Sequence, residues 1–146
     1  MFGWCILGKT SVYMIDELMV QQQVSNKWQH MVGVICLNCT NRKQVKKVLP
    51  TFFAKWDTAE KLLRANYDDV KAIVSSLGMV NVRTKRLFQM SNDFLTWDQV
   101  DATKLYGIGK YGSDSYEIFY KNKIPNDVKD KELLKYITNV TTHSST

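Results

Sequence analysis

An all-α fold is the class this sequence predicts, and three observations carry it. Apolar residues recur at helical spacing over nearly the whole chain, and no long alternating run competes as a strand. Breakers stand between the periodic segments, at Gly78, Pro125 and a glycine cluster over 107–112. The 146 residues, 45 % of them apolar, suffice for one domain with a single core. About ten short helices are expected from the periodic segments.

The first strong element is "KWQHMVGVICLNCT", where Trp28, Met31, Val32, Ile35 and Cys36 form one stripe. "QVKKVLPTFFAKW" follows, with Val45, Val48, Leu49, Phe52 and Phe53 inward and Pro50 as a candidate kink. "TAEKLLRA" reads as a short helix capped by Thr58. "YDDVKAIVSSLG" stops at Gly78. "VRTKRLFQMSNDFL" carries Leu87, Met90 and Phe94 inward, and "WDQVDATKL" leads into the glycines. "SDSYEIFYKN" and, after Pro125, "DKELLKYITNV" complete the series.

Three of the seven glycines, Gly107, Gly109 and Gly112, fall within "LYGIGKYGS". Gly107 and Gly109 permit positive φ and a tight hairpin, and they strip one surface of side chains. Backbone N–H groups then face outward at a helix N-terminus, a nest for an anion, while Ile108 anchors the turn. The string G-x-G-x-x-G also matches a dinucleotide fingerprint, but helical flanks without a βαβ unit exclude that reading. A plain glycine-rich connector is the bland alternative.

The net charge of +6 and a pI near 9.2 favour a polyanionic partner. Basic residues cluster at Arg42, Lys43, Lys46 and Lys47, and again at Arg83, Lys85 and Arg86. No apolar run is long enough to span a bilayer. The opening "MFGWCILG" lacks a basic leader and is not read as a signal peptide. Cys36 and Cys39 form a C-x2-C pair, but only Cys5, His30 and His143 could add soft ligands. Free thiols of an intracellular protein are therefore expected, with no metal.

"LYGIGKYGS" resembles the hairpin of the helix–hairpin–helix DNA glycosylases. With "WQHMVGVICLNCTNRKQVKKVLPTFFAKW", "LGMVNVRTKRL" and "DKELLKY" it is similar to the glycosylase domain of the methyl-CpG-binding thymine DNA glycosylase family. The resemblance runs from about Val20 to Val140. It assigns 20–146 to the domain and leaves 1–19 unassigned, with no room for a methyl-CpG-binding domain. It implies two lobes of helices with a DNA cleft between them, no cofactor and a monomer that acts in the nucleus. Its substrate would be double-stranded DNA with a G·T or G·U mismatch.

The same resemblance implies the site. Asp130, about twenty residues beyond Gly109, takes the place of the catalytic carboxylate. Its plain alternative is an N-cap for the helix that it precedes. Gln21, or a neighbour Gln22 or Gln23, would read the pyrimidine edge, and Tyr111 would contact the flipped base. Tyr111 stands where the strand-cleaving members carry a lysine, so no lyase activity is expected. Gly107, Gly109, Lys110 and Gly112, with Arg83 and Lys85, would hold DNA. Met79 would be the wedge that fills the gap, unless it is a core methionine. Cys39 stands where the family places a second gap-filling arginine, and Glu132 where it places a lysine. Both departures keep open a catalytically inactive DNA-binding module.

Overall fold

The computed structural model describes residues 20–144. The unassigned segment 1–19, with "MFGWCILG" and Cys5, lies outside the described residues, as does the His143 side chain. Seven α-helices and three short 3-10 turns occupy the described chain, and no strand occurs among these residues. The helices are α1 (Lys27–Leu37), α2 (Arg42–Lys55), α3 (Ala59–Leu63), α4 (Tyr67–Val74), α5 (Val80–Phe94), α6 (Lys110–Tyr120) and α7 (Lys131–Ser144). The 3-10 turns span Val20–Gln22, Ser75–Leu77 and Ala102–Lys104. The described residues form an all-α fold, as the helical periodicity predicts.

Local chemistry sets the helix starts. Asn26, Asn41, Thr58 and Asn66 each accept a hydrogen bond from a first-turn backbone N–H, as caps do. The chain turns after Ser75–Leu77 at Gly78, with φ +78°. Helix α2 runs on through Pro50, which sits on its exposed side.

Helix α1 is the centre of the molecule. Trp28 to Cys36 are buried without interruption, so the stripe expected from the sequence is a helix buried on every face. It packs against α2, α5, α6 and the Val20–Gln22 turn. Gly33 makes the last contact possible: a Cβ there would lie 2.8 Å from Val20 Cγ1. The turn therefore rests on the helix itself, and Gln21 is set beside it.

A second apolar cluster joins Ile118 of α6 to Leu133 of α7. Phe119 and Tyr136 stack across the same contact at 4.4 Å. This docking fixes where α7 begins, and so where Asp130 stands.

Candidate active site and DNA-facing cleft

A cleft of about 1050 Å³ opens between the α1–α2 loop, the 105–112 hairpin and the start of α7. Gln21, Cys39, Gly107, Gly109, Lys110, Tyr111, Gly112 and Asp130 all line it. These residues come from four separate places in the chain, and the fold brings them to one surface.

The hairpin is held from below. Leu105 and Ile108 are buried, and Ile108 N–H donates to Leu105 C=O at 3.1 Å. Tyr106 N–H donates to Asp93 Oδ2 at 2.9 Å. Gly107 takes φ +83° and passes over the stem of Arg86, whose carbons lie 3.5 Å from where a Cβ would be. The expected positive φ is found there alone: Gly109 has φ −106° and serves as N-cap of α6, with no side chain capping the helix. Nothing lies within 4 Å of a Cβ built on Gly109, so that position faces open space.

Two residues expected on the DNA face do other work. Gly112 is buried, and a Cβ there would meet Ile108 Cγ2 at 2.6 Å and Val34 Cγ1 at 3.0 Å. It lets α6 approach α1, so its missing side chain serves packing. Arg83 is only 3 % exposed. Its guanidinium donates to the carbonyls of Leu77, Gly78 and Asn38 and to Thr40 Oγ1. All of these acceptors are neutral, and burial lowers the pKa of Arg83. It ties the α1–α2 loop to the loop before α5. Lys85 is exposed on α5 and does not line the cleft, whereas Arg86, one residue on, does.

The two loops that Arg83 joins carry the wedge candidates. Cys39 follows Asn38 with φ +58°, and Met79 follows Gly78 with φ +46°. Such left-handed conformations cost roughly 1–2 kcal/mol for a residue with a side chain. Met79 is 48 % exposed, which removes the core reading.

At the cleft floor Gln21 is 1 % exposed, while Gln22 is half-buried and Gln23 lines a separate recess. Gln21 Nε2 donates to Tyr111 Oη at 2.6 Å and to Ser115 Oγ at 2.9 Å. Ser115 Oγ in turn lies 2.8 Å from His30 Nε2. Burial pushes the Tyr111 phenol up to about 12, and the charges of Asp130 and Glu132 add to the rise. Tyr111 therefore keeps its proton at neutral pH.

Asp130 is half-buried and caps α7: its Oδ2 accepts from Leu133 N–H at 2.9 Å. Capping uses one carboxylate oxygen, and Asp130 lines the cleft as well. The two readings of Asp130 are thus compatible. Asp127, its nearest competitor, is exposed on the preceding loop with φ +61°. Glu132 forms an ion pair with Arg42 at the cleft edge, so the charge that departs from the family pattern is neutralised. His30, Ser115, Arg42 and Arg86 complete the site. Only the basic character of the two arginines was visible in the sequence, because the pairing of His30 with Ser115 spans 85 positions.

Comparison with known proteins shows what the chain is similar to. A Methyl-CpG-binding domain protein 4-like protein of Arabidopsis thaliana is 24 % identical over 120 residues, covering 82 % of this chain and 27 % of its own length. A thymine/uracil-DNA glycosylase of Pyrobaculum aerophilum is 24 % identical over 126 residues, covering 82 % of this chain and 54 % of its own. The chain thus spans about a quarter and about half of these relatives. Among solved structures, a thermostable thymine-DNA glycosylase superposes with a TM-score of 0.60 at 22 % identity, over 66 % of this chain and 48 % of that one. An endonuclease III–DNA complex gives a TM-score of 0.60 at 14 % identity, over 67 % and 50 %. The HhH-GPD model, for a superfamily of base excision DNA repair proteins, matches residues 32–146. The chain belongs to the HhH-GPD superfamily of base excision DNA repair proteins.

Proposed function

We propose that this chain is a monofunctional DNA glycosylase that removes thymine or uracil opposite guanine. The observation that carries the reading is the juxtaposition of the Gln21–Tyr111 pair with Asp130 in one cleft beside the hairpin. A base enzyme of this kind must extrude its target nucleotide, because the glycosidic bond is out of reach in the stack. Exposed amides at Gly109 and the start of α6 would grip a backbone phosphate. Met79, with Cys39 beside it, would fill the gap left in the duplex. The extruded pyrimidine would lie against Tyr111 with its polar edge at Gln21.

The chemistry follows from the charges. As the C1′–N1 bond breaks, its electron pair leaves with the base and the sugar becomes cationic. The carboxylate of Asp130 stabilises that cation and takes the proton of the attacking water. The water oxygen then forms the new bond to C1′. The phenol of Tyr111 cannot form a Schiff base, and the Lys110 amine is engaged by Asp114 at 2.7 Å. Strand cleavage is therefore not part of the reaction. Similarity to the Arabidopsis relative supports a nuclear setting, and a cleft complete within one chain supports a monomer.

The test is incubation with G·T and G·U duplexes followed by alkali, with a borohydride-trapping arm. Abasic sites that break only after alkali, without a trapped adduct, are expected. A trapped adduct would identify a reactive amine and overturn the monofunctional assignment. Binding without excision of either base would leave the inactive module as the function.

A further inference from the structure

An amide has two ends, and the cleft reads only one of them. Both N–H groups of Gln21 are used within the protein, by Tyr111 Oη and Ser115 Oγ. Its Oε1 is buried and has no protein partner, although the side chain lines the cleft. Behind Gln21, Ser115 and His30 are fully buried and 2.8 Å apart. Burial depresses His30 to about 3, so the ring is neutral and carries one proton.

A serine hydroxyl has a single proton to give. If Ser115 donates to His30 Nε2, it offers Gln21 only lone pairs and must meet the NH2 end of the amide. In the reverse register His30 Nε2–H donates to Ser115, and Ser115 and Tyr111 both donate to Gln21 Oε1. The reverse leaves both amide N–H groups and His30 Nδ1 unmet. The first leaves only Gln21 Oε1 and the Nδ1 proton. Unmet buried donors are costly, which favours the first.

We propose that Ser115 and His30 are positioning residues that lock the Gln21 amide with its carbonyl toward the substrate base. Tyr111, having accepted from Gln21, keeps its own proton to donate. The pocket then presents an acceptor beside a donor. Its complement is a ring N–H beside a carbonyl, the imide edge of thymine or uracil. This deepens the glycosylase reading and rests on it.

Two measurements test the relay. In ¹⁵N-labelled protein, long-range ¹H–¹⁵N correlations should show His30 neutral with its proton on Nδ1. A proton on Nε2 would free the Ser115 hydroxyl to donate elsewhere, remove the constraint on the Gln21 amide and overturn the proposal. In single-turnover excision of uracil opposite guanine, Ser115→Ala should lower the rate about tenfold, the worth of one net hydrogen bond, with duplex affinity unchanged. In a Gln21→Ala background the same change should alter the rate by less than about twofold, because Ser115 acts only through Gln21. An undiminished tenfold loss in that background would overturn the proposal. If the wild type excises nothing, the functional reading fails, while the His30 tautomer still decides the relay.

Discussion

His30 is a titratable group held inside aromatic walls, with Tyr120 at 5.1 Å edge-on and Phe119 at 5.8 Å. Burial holds its pKa at about 3 in the folded protein, below the ordinary imidazole value of 6.5. The unfolded chain therefore binds the proton first as acid is added. The stability that this confers is complete above pH 6.5 and drains away as pH falls toward 3. Melting temperature should drop between pH 7 and pH 5 in the wild type and drop less in His30→Gln, compared by thermal scans at matched ionic strength. The difference between the two curves isolates His30 from the other groups that titrate there. Tyr111 has the opposite sign: its pKa of about 12 stands above the usual 10, so its contribution persists to pH 10 and is lost above it.

The hairpin separates two glycines that look alike in the sequence. At Gly109 φ is negative and a Cβ meets nothing, so Gly109→Ala should leave the melting temperature nearly unchanged. If Gly109 meets a phosphate as proposed, a methyl group there should weaken duplex binding several-fold, equally for matched and mismatched DNA, since phosphate contacts carry no base information. At Gly112 a Cβ would press on Ile108 and Val34, so Gly112→Ala should destabilise by about 1–3 kcal/mol, as overpacking does. Calorimetry and fluorescence anisotropy of both variants check the contrast. Equal losses of stability would refute the division of roles. Arg83 works at the same scale. Arg83→Lys keeps the charge but cannot reach four acceptors on two loops, so it should cost about 2 kcal/mol of stability and lower excision more than encounter with DNA. Single-turnover rates set against duplex affinity would show it; a proportionate fall in both would place Arg83 on the DNA surface after all.

Across the whole molecule, what the sequence revealed was what depends on near neighbours. Caps such as Thr58, the stop at Gly78 and the turn at Gly107 are local bargains between a side chain or a missing one and the adjacent backbone. Asp130 was singled out by the resemblance, from its place after the hairpin, whereas its capping bond to Leu133 is the local feature that the sequence alone suggested. The role of Arg83 was not legible, because three of its acceptors are backbone carbonyls, which have no sequence signature, on loops up to 45 residues away. The all-round burial of α1 depended on what packs against it, and the Arg42–Glu132 pair on how α7 docks. The net charge of +6 belongs to this scale as well: duplex binding should weaken steeply as salt rises, through release of counterions. The central claim is that Asp130 performs the chemistry in this cleft. It is tested most directly by single-turnover excision from a G·U duplex by wild type and Asp130→Asn, with affinity measured on the same duplex. The asparagine can still cap α7, so the account predicts unchanged binding and a rate lower by at least about a hundredfold. Excision by Asp130→Asn at the wild-type rate would contradict it.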